Sequence, residues 1–131
     1  VDSHVSLPVI SRSAEQIREV DLYPFRKLIA DSLMGIVTGH LHVPMVDNTP
    51  RLAATLSGKI VTELLKNELG FRGLVFTDAL NMGGINRTLN SDEVNLRALI
   101  AGNDILLYPE NVPDAVRRIS EAVEKGEVSQ S

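Results

Sequence analysis

The feature that most constrains this chain is the unbroken apolar run Gly73-Leu74-Val75-Phe76-Thr77, which follows an amphipathic segment and does not alternate. A strand with one face in water alternates polar and apolar residues, whereas an unalternating run implies cover on both faces, as in a parallel sheet flanked by helices. Two further short runs, Leu33 to Val37 and Asp104 to Tyr108, read the same way. Amphipathic segments separate them. Ser13 with Gln16 three positions on has the spacing of a capping box and predicts a helix to about Leu22. Pro24 suits the first turn of a second helix, with Phe25, Leu28 and Ile29 facing inward. From Ser57, the apolar residues Ile60, Val61, Leu64, Leu65 and Leu69 recur at helical spacing, and Gly70 supplies a stop. Glu93 to Ala101, with Ser91 as cap and Gly102 as stop, and Val112 to Lys125 complete the series. The resulting order is helix, strand, helix, strand, helix, strand, helix, an α/β architecture with right-handed crossovers.

Length and charge narrow the reading. The 131 residues hold one domain, with no internal linker or repeat, and a closed eight-stranded α/β barrel needs at least about 200. The net charge is −4 with the charges scattered, so the basic footprint of a nucleic-acid binder is absent. No apolar run is long enough to span a membrane, and the first twenty residues lack the pattern of a signal peptide. The absence of Cys excludes disulfide scaffolds, thiolate metal sites and Cys nucleophiles, and leaves the compartment open.

In parallel α/β folds chemistry gathers at the C-terminal ends of the strands. That rule selects Thr38 to His42, Thr77 to Gly84, and Pro109 to Asn111. Asp104 lies at the entrance to its strand and reads as structural. Asp78 directly follows a strand among small residues, where its carboxylate is accessible to act as a nucleophile; the alternative is a cap that accepts backbone N–H groups. His40 and His42, two apart, point to one face if the strand continues through them, and read either as polar residues of a pocket rim or as a metal-holding pair. His4, two residues after Asp2, has the arrangement in which a carboxylate orients an imidazole. The glycines of Asn81-Met82-Gly83-Gly84 lack the Lys and spacing of a phosphate loop and read as a turn.

Taken together, these residues resemble the catalytic barrel domain of glycoside hydrolase family 3, which includes β-glucosidases and β-N-acetylglucosaminidases. The resemblance spans the whole chain. It rests on Asp2-Ser3-His4 with Leu7-Pro8, on Leu22 to Arg26, on Thr38-Gly39-His40 with Val43-Pro44 and Asp47, on Ala54 to Ser57, and above all on the long block from Leu69 to Met82. It implies Asp78 as the catalytic nucleophile, His4 as general acid/base held by Asp2, and His40 and Met82 on the sugar-binding side. The Asp-Ser-His element favours the β-N-acetylglucosaminidase branch; a β-glucosidase of the same family is the alternative. Two departures stand out. Ala79 occupies a position where many relatives carry a second Asp, and the family's Lys-His-Phe-Pro-Gly-His-Gly block, expected just before Asp2, is not in this sequence.

The chemistry is consistent with those residue types. Retaining glycoside hydrolysis needs a carboxylate on one face of the sugar and a proton donor on the other. A His titrates near neutrality, so it can give a proton in the first step and take one in the second. The expectation is therefore an arc of about three strands from the later part of a (β/α)8 barrel, spanning residues 1–131. Its longer parent hydrolyses terminal β-linked N-acetylglucosamine-type sugars, and the piece alone is inactive. The partner is carbohydrate, without nucleic acid, membrane, metal or organic cofactor, and self-association through exposed sheet edges is expected. Two readings from other classes stay open: a metal-dependent hydrolase using His40 and His42, and a non-catalytic α/β binding module in which Asp78 only caps.

Overall fold

A computed structural model describes residues 7–82, 85 and 90–128. Ser13 opens the first helix through the expected reciprocal pair: its Oγ accepts from Gln16 N–H and Gln16 Oε1 accepts from Ser13 N–H, each at 3.1 Å. Helix α1 (Ala14–Gln16) widens into a π-helical turn over Ile17–Asp21 and then gives way to α2 (Tyr23–Ala30), with Pro24 in its first turn. The expected inward stripe of α2 is only partly covered. Ile29 packs on the core, whereas Phe25 and Leu28 are 41% and 49% exposed. Phe25 instead lines an apolar groove of about 420 Å³ between α2, the strand that follows and the helix after Ser57, together with Ile17, Ile36, Leu41 and Leu64.

Strand β1 (Gly35–Thr38) pairs in parallel with β2 (Leu74–Thr77), in the register Gly35↔Leu74 to Thr38↔Thr77. Among the described residues these are the regular strands, and β1 pairs only with β2. The register begins where Leu74 N–H donates to Met34 C=O at 2.9 Å. Only glycine fits just before it, because a Cβ on Gly73 would stand 2.3 Å from the Met34 carbonyl oxygen.

The third strand expected over Asp104 to Tyr108 is reduced to a parallel bridge between Phe76 and Ile105 on the other side of β2. Side chains replace the ladder at both ends. Asp104 Oδ2 takes the Val75 N–H at 2.7 Å, and Thr77 Oγ1 takes the Leu107 N–H at 2.9 Å, leaving Thr77 N–H to Ile105 C=O and the Asp104 and Ile105 N–H groups on Val75 C=O. The segment is therefore held beside β2 without becoming a regular strand.

The helix after Ser57 covers Lys59–Glu68 and buries Val61 and Leu65. Helix α3 (Ser91–Ala101) ends at Gly102 with φ 110°, as expected, but its cap is Asn90 rather than Ser91: Asn90 Oδ1 accepts from Glu93 N–H at 2.9 Å. Helix α4 (Val112–Glu124) starts from Asn111 in the same manner. Ile36, Val61, Leu65, Phe71, Val75 and Ala101 form one core against the sheet, and Ala53, Leu56, Leu80, Ile85, Val94 and Ala98 form a second. No helix of the described residues is long and apolar enough to cross a membrane.

Candidate active site

The C-terminal ends of β1 and β2 converge on Asp78. Its N–H donates to Thr38 C=O at 2.9 Å, carrying the pairing one step past the last strand residues. Its Oδ1 accepts from the Ala79 N–H at 2.8 Å, and its Oδ2 has no partner among the described residues. The residue is half-buried. Among the described residues one oxygen is thus tethered and the other is open, and an accessible oxygen is what a carboxylate needs in order to attack. Among the described residues the cap reading is met in this single bond to the next residue, with no second backbone N–H drawn in.

The chain then turns. The Met82 N–H reaches back to Ala79 C=O at 3.2 Å, and the Leu80 N–H donates to Leu107 C=O at 2.9 Å, which ties the turn to the neighbouring strand-like segment. Met82 itself is half-buried.

His40 lies beneath this turn, and its sequence placement at the rim is corrected. It is 1% exposed, and both ring nitrogens are engaged inside the chain. Nε2 is 2.9 Å from Ala79 C=O, and because a carbonyl oxygen only accepts, Nε2 carries the proton and donates. Nδ1 is 2.9 Å from Thr55 Oγ1. No ring nitrogen remains to meet a sugar hydroxyl or a metal ion. His42 Nδ1 donates to Leu52 C=O at 3.1 Å, so the two histidines do not aim free nitrogens at one point. The described residues contain no group of three or more His, Cys, Asp or Glu placed to hold a metal ion.

Below His40 lies a connected set of buried polar side chains. Thr55 Oγ1 stands 3.2 Å from Thr38 C=O, Thr38 Oγ1 donates to Asn103 Oδ1 at 2.8 Å, and Asn103 Nδ2 donates to Thr55 C=O and Ala98 C=O at 2.9 and 2.6 Å. Thr38, Thr55 and Asn103 are 7%, 0% and 2% exposed. A buried polar group without a partner costs about 1–3 kcal/mol, so a fully partnered set of this kind favours one arrangement strongly. In the sequence Thr55 falls within the block Ala54 to Ser57 without an assigned role, and Asn103 is not singled out. Their signal is a small polar residue inside an apolar stretch, as in Ala53-Ala54-Thr55-Leu56, which marks burial without naming the partner.

A further carboxylate secures the loop that follows. Asp47 Oδ1 accepts from Thr49 N–H and Oγ1 at 3.1 and 2.8 Å, and its Oδ2 accepts from Ser57 Oγ at 2.6 Å. Burial works against its charged form, but the hydrogen bonds from Ser57 and Thr49 and the field of Lys59 together outweigh it and hold the carboxyl below its ordinary value.

Asp2 and His4 lie outside the described residues. The segment just after them docks at the same end of the sheet: His42 N–H donates to Pro8 C=O and Ile10 N–H to His42 C=O, both at 2.8 Å.

Comparison with known proteins identifies the family of the chain. The family model for the glycosyl hydrolase family 3 N terminal domain matches residues 1–131. The chain is 38% identical over 119 residues to β-hexosaminidase A of Pseudoalteromonas piscicida, covering 83% of this chain and 20% of that protein. It is 40% identical over 118 residues to a β-hexosaminidase of Nitrosospira multiformis, covering 90% of this chain and 33% of that protein. A family 3 β-N-acetylglucosaminidase from Paenibacillus sp. str. FPU-7 superposes with a TM-score of 0.92 at 35% identity, over 99% of this chain and 25% of that one. The chain thus spans a third or less of these relatives. Matched along its whole length, with its α/β fold shared by solved members, the chain belongs to glycosyl hydrolase family 3, within the N-terminal domain.

Proposed function

We propose that these residues form the later part of a family 3 catalytic barrel whose full-length protein removes terminal β-linked N-acetylglucosamine-type sugars with retention of configuration. The observation that carries this reading is Asp78 at the strand end, with Oδ1 tethered and Oδ2 open. The relatives supply the sugar class, since the two curated proteins compared above are named β-hexosaminidases.

In the first step Asp78 Oδ2 attacks the anomeric carbon, the bond to the leaving oxygen breaks, and that oxygen takes a proton from His4. In the second, His4 takes a proton from water, the water oxygen bonds to the anomeric carbon, and Asp78 leaves as carboxylate. Asp2 orients the His4 ring and favours its protonated form. Pro8 supports this assignment: it is bonded at the strand end next to His42 and lies four residues beyond His4, a span of at most about 14 Å of extended chain. In the same reading the open edge of β1 receives the preceding barrel strand.

The test uses the full-length protein and a fluorinated N-acetylglucosaminide with a good leaving group, which slows breakdown of the covalent intermediate. One sugar mass is expected on the peptide that contains Asp78. Labelling at another carboxylate, or turnover with no covalent species, would remove Asp78 from the nucleophile's role. His4→Ala is expected to slow poor leaving groups far more than activated ones; an equal loss on both would remove His4 as the acid.

A further inference from the structure

We infer that His40 is a positioning residue for the nucleophile: its Nε2–H, donated to Ala79 C=O, fixes the turn that decides which Asp78 oxygen is tethered and which is free. The inference rests on the reading of Asp78 given above.

The geometry is that of a clamp on one peptide unit. The peptide joining Ala79 to Leu80 is held at its carbonyl by His40 Nε2 at 2.9 Å and at its N–H by Leu107 C=O at 2.9 Å. The peptide before it is the one whose N–H, on Ala79, holds Asp78 Oδ1 at 2.8 Å, and Asp78 N–H is itself bound to Thr38 C=O. If the second peptide tilts, the first follows, and the tethering N–H leaves Oδ1. The carboxylate is then free to rotate about its side-chain bonds, and the attacking oxygen loses its preset direction.

Alternative roles fit less well. His40 is too deeply buried to touch a sugar, and its chain of contacts leads away from solvent, through Thr55 to Thr38 and Asn103. A histidine needed only to fill space would not require a donor aimed at this one carbonyl, which already accepts from Met82 N–H. Thr55 completes the device. Its hydroxyl can donate to Nδ1 of the neutral ring, or accept from Nδ1–H of the charged ring while donating to Thr38 C=O, so the ring keeps its orientation and its Nε2 proton in both states. Acting through the backbone suits such a task, because a misplacement of about 1 Å at a reacting atom can cost about 100-fold in rate.

The test compares His40→Met, which fills similar volume without a donor, with His40→Gln, whose amide N–H lies at nearly the same reach as Nε2. Both are made in the full-length protein and assayed with the fluorinated sugar, separating the rate constant of covalent labelling at Asp78 from the affinity for the sugar. His40→Met is expected to slow labelling by roughly 10- to 100-fold with affinity changed less than about 2-fold, and His40→Gln to recover most of the rate. Thr55→Val, which keeps shape and removes the hydroxyl, is the second variant, expected to slow the same step by a few fold; it decides the matter if His40→Met does not fold. Labelling by His40→Met at the wild-type rate per folded molecule would overturn the inference, as would an unchanged rate with weakened affinity, or an unchanged Thr55→Val where that variant must decide. These outcomes differ from failure of the underlying reading, in which the wild-type protein itself acquires no label on Asp78 and both proposals fall together.

Discussion

Two aspartates bracket the same strand and do opposite things. Asp104 meets β2 at its entrance, with Oδ2 on the Val75 N–H at 2.7 Å and Oδ1 on Lys66 Nζ at 3.0 Å. Asp78 leaves β2 at its exit, with one oxygen on the Ala79 N–H and the other without a partner among the described residues. Both are ordinary carboxylates a short distance from the same backbone. The difference lies in how completely each is used up: the saturated one closes a gap in the sheet, and the half-saturated one keeps an oxygen without a partner among the described residues. The direction of a parallel strand separates the two, since in α/β sheets ligand sites gather outside the C-terminal ends of the strands.

The contrast can be broken by substitution. The largest effect is expected for Asp78→Asn in the full-length protein. On the proposed reading it removes the nucleophile while its side-chain oxygen can still accept from Ala79 N–H, so turnover is expected to fall by at least about 10,000-fold with the thermal midpoint essentially retained. A midpoint drop with activity retained per folded molecule would instead make Asp78 a cap. Asp104→Ala should give the mirror image. It strands the N–H of Val75, which is 0% exposed, and costs about 1–3 kcal/mol in denaturant unfolding, while activity per folded molecule stays unchanged. A selective loss of turnover would erase the distinction between the two ends.

Asp47 sharpens the comparison through pH. Its ordinary value is 3.8 and its folded value is lower, so its contribution is fully present above 3.8 and fades as pH falls through the folded value. Asp47→Asn should therefore destabilise by about 1–2 kcal/mol at neutral pH, and the variant and wild type should converge in strong acid. A gap that stays constant across unfolding curves at each pH would assign the loss to packing rather than charge.

Much of the fold was legible because its signals are local. The apolar run before Asp78, the Ser13 and Gln16 cap, the helical stripe from Ile60 to Leu69 and the Gly102 stop all act within a few residues of themselves. Errors arose where a distant group intervened. The segment from Asp104 to Tyr108 has a strand's composition, yet a carboxylate and a hydroxyl take its ladder bonds, and no local pattern announces that substitution. Phe25 and Leu28 have the spacing of an inward face but both stay exposed, Phe25 lining an open groove. The site divides in the same way. Asp78 stands out in the sequence from its position after a strand, whereas the role proposed for His40 depends on a backbone carbonyl 39 residues away, and carbonyls are alike in every sequence.

The close approach at Gly73 reaches further than the contact itself. With a Cβ there only 2.3 Å from the Met34 oxygen, any larger residue must push β1 and β2 apart or slide one along the other. A slide of one residue turns every side chain of a strand to the opposite face. Thr38 would then no longer meet Asn103, and Asp78 would be delivered to the wrong side of the sheet. A hydrogen atom at position 73 thus acts as the zero mark on the scale along which Asp78 is measured out, five residues downstream.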